Sequence, residues 1–80
     1  MRLPVINMIE TGNNIKQLRI KKGMSIKELS VILGLISTQA IYAWEHGTTV
    51  PNLEHLLHLS AIFEIEVDEL VVVDWIEIQL

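Results

Sequence analysis

Residues 25–47 read SIKELSVILGLISTQAIYAWEHG, and this stretch decides the architecture. Ser25 followed three residues later by Glu28 is a capping box, in which each side chain satisfies a backbone amide at the start of a helix. Leu29, Ile32 and Leu33 then recur at helical spacing before Gly34 stops the run. A second helix is expected to begin at Ser37, a favourable N-cap, and to run through Ile41 and Trp44 until Gly47 ends it. Pro51 forbids any continuation. The stretch therefore reads as two short helices, 25–33 and 37–46, joined by a turn that contains a glycine.

The same reading extends outward. Asn13 to Lys22 carries Ile15 and Leu18 at helical spacing, with Lys21 and Lys22 in the last turn, where the helix dipole favours cations, and Gly23 as the stop. Asn52 caps a fourth helix in which Leu53, Leu56, Leu57, Leu59, Ser60 and Phe63 form a broad stripe for burial. A short fifth helix is expected over Val67–Val71. The two ends read differently. From Val72 onward, Ile76, Ile78 and Leu80 alternate with Trp75, Glu77 and Gln79, a period of two, and Leu3 to Met8 is a weaker extended candidate. Two readings of these ends stand: tails packed on the helices, or strands that pair within one chain or across a dimer, since an isolated apolar strand needs a partner. The fold class expected is all-α: a compact five-helix domain over 13–71, an extended arm over 1–12, and an extended or β tail over 72–80.

Composition narrows the function. Eighty residues make one domain, which buries only about 60% of the surface its unfolded chain exposes. Half of the residues are hydrophobic, so either the core is densely packed or some apolar surface is reserved for a partner. There is no cysteine, hence no disulfide framework and no thiolate metal site. MRLPVINMIE is too short and too interrupted, by Pro4 and Asn7, for a leader or a span, and Leu70–Leu80 carries Asp74 and Glu77; the expectation is a soluble cytoplasmic chain. All six cations (Arg2, Lys16, Arg19, Lys21, Lys22 and Lys27) lie within the first 27 residues, which hold one carboxylate and so carry +5. The remaining 53 residues hold nine carboxylates and no Lys or Arg, a charge of −9.

Two short helices meeting at such a turn make a helix-turn-helix arrangement. At this point the chain resembles the phage-repressor-like (Cro/XRE-type) helix-turn-helix family of bacterial and phage transcription regulators. The resemblance covers residues 13–71. It rests on Leu18-Arg19 with Lys22-Gly23, Ser25, Glu28 and Leu29, on Ile41-Tyr42-Ala43-Trp44-Glu45-His46-Gly47, on Pro51-Asn52-Leu53-Glu54 with Leu56, and on Val67-Asp68-Glu69-Leu70. One residue more than the commonest pattern separates Gly34 from Trp44, which implies a slightly longer turn.

The resemblance implies a sequence-specific regulator on double-stranded DNA, with the helix from Ser37 in the major groove and its first turn at the base edges. Thr38 and Gln39 would read bases, since Gln bonds bidentately to adenine and Thr offers a hydroxyl and a methyl. Tyr42 and Ala43 lie one turn on. Ser25, Lys27, Ser37, His46 and Thr48 would face phosphates, helix N-termini being favourable for anions. Arg19 and Glu45 match a structural ion pair of the family. The resemblance implies no cofactor, a place in the cytoplasm on the nucleoid, and, with the apolar termini (Trp75, Ile76, Ile78, Leu80), a homodimer spanning two half-sites. The chain departs from the pattern in its cations: Ile26 stands where a phosphate-binding Gln is common, Ala43 and His46 replace frequent Lys or Arg, and Thr48-Thr49-Val50 has none.

Blander readings stand beside these. The acidic remainder fits a protein-interaction module or antitoxin-like adaptor built on the same scaffold. His55 and His58 sit at i, i+3 without a third ligand, so solvated side chains are expected rather than a metal site. His46 is either a phosphate contact or an exposed helix end, and Trp75 is either half-buried in the tail or an interface anchor. Trp44 is expected in the core. Glu64, Glu66, Asp68 and Glu69 read as a solvated helix start. No phosphate loop, nucleophile elbow or paired-carboxylate site is visible, so no enzyme is expected.

Overall fold

The side-chain oxygen of Asn7 accepts the Glu10 amide at 2.9 Å, and the first helix starts behind that cap. In the computed structural model, which describes residues 1–80, the chain runs β1 (Arg2–Ile6), α1 (Met8–Lys21), α2 (Ile26–Ile32), α3 (Gln39–Glu45), α4 (Leu53–Phe63), α5 (Val67–Leu70) and β2 (Val73–Glu77). The five helices appear in the expected order. The start of α1 differs: residues 8–12, expected in an extended arm, are helical, and only Arg2–Ile6 is a strand. Asn7 followed by an acidic Glu10 is itself a capping signal, and Gly12 lies inside the helix because a helix-facing neighbour requires it. A Cβ on Gly12 would collide with the Trp44 carbonyl oxygen of α3, so the two backbones approach as only glycine permits.

The expected capping box at α2 is present: the Glu28 N–H donates to Ser25 Oγ at 3.0 Å and the Ser25 N–H donates to Glu28 Oε1 at 3.1 Å. Helix α3 begins later than expected. Thr38 is the residue at its cap, without a side-chain bond, while Ser37 Oγ accepts the Gln39 N–H at 3.3 Å from just outside. Asn52 caps α4 through the His55 N–H at 2.8 Å.

Ile15, Leu29, Leu33, Ile41, Trp44, Leu59, Phe63 and Leu70 form the buried cluster, drawn from all five helices and the residue capping α2. The apolar stripe expected along α4 is narrower than its sequence: Leu59 and Phe63 are buried and Leu56 packs against the core, but Leu53 and Leu57 are exposed. An eleven-residue helix on the flank of so small a core turns only part of its circumference inward.

The termini pair within one chain. β1 and β2 form an antiparallel ladder from Arg2↔Glu77 to Ile6↔Val73, both strands almost wholly exposed. Bonds at its two ends, Ile78 N–H to the Met1 carbonyl and Asn7 N–H to the Val72 carbonyl, both 2.8 Å, set the alternation. The backbone groups of Leu3, Val5, Asp74 and Ile76 face the partner strand, and those of Arg2, Pro4, Ile6, Val73, Trp75 and Glu77 face away.

One face of α1 fastens this ribbon to the helices. Asn7, Thr11 and Asn14 lie at helical spacing along it. Asn7 Nδ2 donates to Asp74 at 3.2 Å, and Asn14 Nδ2 donates to the Leu70 carbonyl at 3.2 Å. Thr11, buried, uses one hydroxyl twice: Oγ1 accepts the Val72 N–H at 2.9 Å and donates to the Val72 carbonyl at 3.3 Å. Replacing Thr11 with Val keeps the shape and strands the Val72 N–H, while the Val72 carbonyl keeps the bond from the Asn7 N–H. Thr11→Val is expected to lower unfolding free energy by about 1–3 kcal/mol in urea titrations, with Thr11→Ser close to the parent.

Candidate nucleic-acid interface

The inner side of α3 is fixed by Ile41 and Trp44, both buried, and the outer side by what remains at helical spacing. Gln39, Tyr42, Ala43 and His46 recur at i, i+3, i+4 and i+7 and share that outer side. Gln39 and His46 are exposed, Tyr42 is half exposed, and Ala43 and Thr38 are partly covered. No hydrogen bond within the chain engages the Gln39 amide group, the Tyr42 hydroxyl or the Thr38 hydroxyl. His46 Nδ1–H donates to the Tyr42 carbonyl at 2.8 Å, which leaves Nε2 for a partner. The Ala43 carbonyl accepts the Thr48 N–H at 2.9 Å, so exposed Thr48 is held against the end of α3.

Arg19 sets the orientation of this helix. Its Nε donates to Glu45 Oε2 at 2.7 Å, its Nη2 to Glu45 Oε1 at 3.1 Å, and its Nη1 to the Met24 carbonyl at 2.8 Å. Both side chains are largely withdrawn from solvent, at 11% and 5% exposure. The hydrogen bond to Glu45 raises the Arg19 guanidinium above its ordinary value against the opposing pull of burial, so the guanidinium stays charged. A parallel two-bond fork of this kind fixes both distance and plane. One side chain thereby joins α1, the last residue of α3 and the turn before α2.

At the start of α2, exposed Ser25 and Lys27 line a shallow hollow with Glu28, Val31 and Ile32. Hydrogen bonding from the Ser25 backbone N–H, and then from its hydroxyl, lowers the Glu28 carboxyl below its ordinary range. The cap is therefore ionised at neutral pH and weakens only as pH falls through that lowered value. The other cations lie elsewhere. Lys21 and Lys22 border a hollow with Leu18, Phe63, Glu64 and Ile65, and Lys22 Nζ stands 3.9 Å from Glu64. Arg2 lies over the Trp75 ring, 5.2 Å from its centroid. His55 packs tilted against Trp44, ring centroids 5.4 Å apart, and His58 faces Glu54 at 3.9 Å, which gives both histidines structural neighbours. Sequence reasoning had not anticipated Asn7, Thr11, Gly12 or Asn14, which hold α1 against α3, the end of α5, Val72 and β2; the Asn-Thr-Asn spacing was the available signal.

Residues 15–70 match the family model described as Helix-turn-helix. The chain belongs to this phage-repressor-like helix-turn-helix family. As a helix-turn-helix domain it is 36% identical over 62 residues to the HTH-type transcriptional activator BcrR of Enterococcus faecalis; the match takes in 78% of this chain and 30% of that relative's length. Its fold is similar to the restriction-modification controller protein C.AhdI from Aeromonas hydrophila, with a TM-score of 0.71, 28% identity and coverage of 80% of this chain and 96% of that one. The DNA-binding domain of BldD from S. venezulae shares the fold at a TM-score of 0.67 and 17% identity, covering 81% and 96% of the two chains. No helix is long and apolar enough to cross a membrane.

Truncating either partner of the Arg19–Glu45 pair leaves the other charge buried and unpaired. Glu45→Ala is expected to destabilise the domain by about 3–5 kcal/mol in chemical denaturation, and Arg19→Lys to recover only part of what Arg19→Ala loses, because an ammonium cannot form the fork.

Proposed function

We propose that this domain is a sequence-specific double-stranded DNA-binding transcription regulator that reads the major groove with α3. One observation carries the reading: α3 is held rigidly from behind by Ile41, Trp44 and the Arg19–Glu45 fork, while Gln39, Tyr42 and His46 stand outward with polar groups unspent on the chain. Membership of the helix-turn-helix family, and likeness to a relative named a transcriptional activator and to one named a controller protein, support it.

In this reading Thr38 and Gln39 read base edges and Tyr42 and Ala43 contact the next step. Ser25, Lys27, Ser37, His46 and Thr48 hold the phosphate backbone. No enzymatic step or cofactor is invoked, and the domain acts in the cytoplasm on the nucleoid. With Lys22 beside Glu64 and Arg19 bound to Glu45, few cations remain for phosphate, so a single copy binds weakly and the working form is a homodimer joined through Trp75, Ile76, Ile78 and Leu80. The rival reading, a protein-interaction module or antitoxin-like adaptor, draws on the nine carboxylates beyond residue 27 and on exposed Val31, Ile32 and Ile36 beside the turn.

Fluorescence anisotropy on a randomised duplex pool, with selection at physiological salt, separates the two. A retained motif, weakened by about 1–3 kcal/mol in Gln39→Ala with the circular dichroism unchanged, is the expected result. The salt dependence should be shallow for a DNA binder, about −5 or weaker in the log–log slope. Binding confined to low salt, with no selected sequence, would sink the DNA reading and favour the adaptor.

A further inference from the structure

Between the terminal ribbon and the last two helices lies a hollow of about 520 Å³. It stays open because the ribbon is fastened to the helices only at its base. Those bonds run from the Asn7 N–H and Thr11 to Val72, and from the Asn7 side chain to Asp74. Beyond Asp74 no hydrogen bond or ion pair joins either strand to α4 or α5.

Leu56 on α4, with Val67 and Val71 one turn apart at α5, forms the helical wall. The ribbon supplies the other wall from one of its faces, where Pro4 stands opposite Trp75 and Ile6 opposite Val73. One charged group stands among these apolar ones, the carboxylate of Asp68. Asp68 is exposed at the rim and makes no ion pair within the chain. No Lys or Arg lies beyond residue 27, so α4 and α5 bring no cation to it. Arg2, the side-chain cation of the ribbon, is placed on the Trp75 ring instead, 5.2 Å from its centroid. The chain thus already uses this indole as a seat for a positive charge.

Apolar walls with a single unmatched polar group have the composition of a small-molecule site, and the volume lies within the ~300–1,000 Å³ such sites occupy. The sign of that one charge selects the ligand. An anion would meet Asp68 within a region, residues 28–80, that carries −9. A neutral apolar molecule would take water from the carboxylate and return nothing. A metal ion finds one carboxylate and neither a second one nor an imidazole in the lining. A cation on an apolar body satisfies both the walls and the rim.

We infer that the hollow between the ribbon and α4–α5 binds a small amphipathic cation, an ammonium group carried on an aryl or alkyl body. The ammonium pairs with Asp68, and the body lies between Trp75 and the Val67–Val71 wall. Such a ligand bridges two parts of the molecule otherwise joined only at the base of the ribbon. Binding therefore stabilises the folded chain by mass action. No residue of α3 lines the hollow, so the site stands whether or not α3 reads DNA.

The test is an NMR titration of the full chain with three probes of one shape: naphthylmethylammonium, neutral naphthylmethanol and anionic naphthoate. The ammonium is expected to shift the Val67, Val71 and Val73 methyl signals and the Trp75 indole N–H. Saturation should come at about 1 mM or below, as about a dozen heavy atoms allow. Naphthylmethanol should bind about 3-fold or more weakly, and naphthoate more weakly still. Asp68→Asn keeps the shape of the side chain and removes its charge. It should bring the ammonium down to the level of naphthylmethanol and leave naphthylmethanol unchanged, with a thermal melt close to the parent's. In the parent, the ammonium should raise the melting temperature more than either analogue does. Equal binding of the three probes, or an ammonium affinity that Asp68→Asn leaves intact, overturns the cation site and leaves an unselective apolar hollow. Probe shifts that fall elsewhere, or none at all, overturn the hollow as a site. Signals of its walls that move with protein concentration and not with probe place a second copy there and overturn the ligand.

Discussion

The Arg19 guanidinium ties α1 to the end of α3 and to the turn before α2, and the position of the outer face of α3 depends on it. Nε and Nη2 hold Glu45 at the end of α3, while Nη1 holds the Met24 carbonyl in the turn before α2. A planar cation with donors at fixed angles converts these contacts into a constraint on relative orientation as well as distance. Burial makes the constraint strict, since neither charge can turn to water without leaving the other unsolvated. Earlier in α1, near its start, Gly12 lets the helix backbone lie against the Trp44 carbonyl. Helices α1 and α3 are therefore locked at two points along α1, an ion pair near its end and a backbone contact near its start, both made to the last residues of α3.

What this rigidity serves is a short helix with little else to recommend it. α3 has seven residues, no side-chain cap and no acidic residue in its first turn. By itself such a helix would not persist in water, because the cost of nucleation is spread over too few bonds. Ile41 and Trp44 supply the packing that its own sequence lacks, and this frees the outer positions from any structural duty. Gln39, Tyr42 and His46 can therefore be chosen for what they contact.

Half of the chain is hydrophobic, yet only eight apolar side chains form the buried cluster. A domain of this size has too much surface for its volume to hide the rest. The remainder is distributed unevenly: Leu53 and Leu57 on α4, Val31, Ile32 and Ile36 near the turn, and the terminal ribbon with Trp75. The ribbon is secured by polar bonds from Asn7, Thr11 and Asn14 rather than by a core of its own, so its apolar side chains remain available to a partner.

The sequence alone determined the number and order of the helices, because capping residues, glycine stops and apolar spacing are local signals that act within a few residues. It also marked Trp44 for the core and Arg19 with Glu45 as a pair, the latter through resemblance to a family. Tertiary structure decided the rest. The helix at 8–12 was missed because Gly12 reads as a breaker until the Trp44 carbonyl beside it is seen. Leu53 and Leu57 lie outside because a stripe of leucines does not record how wide the facing surface is. The termini pair within one chain because Thr11 and Asn7 bring Val72 alongside the first strand, a contact more than sixty residues long-range in sequence. Periodicity gives each segment its shape, whereas which segments meet depends on distances through space that no local pattern carries.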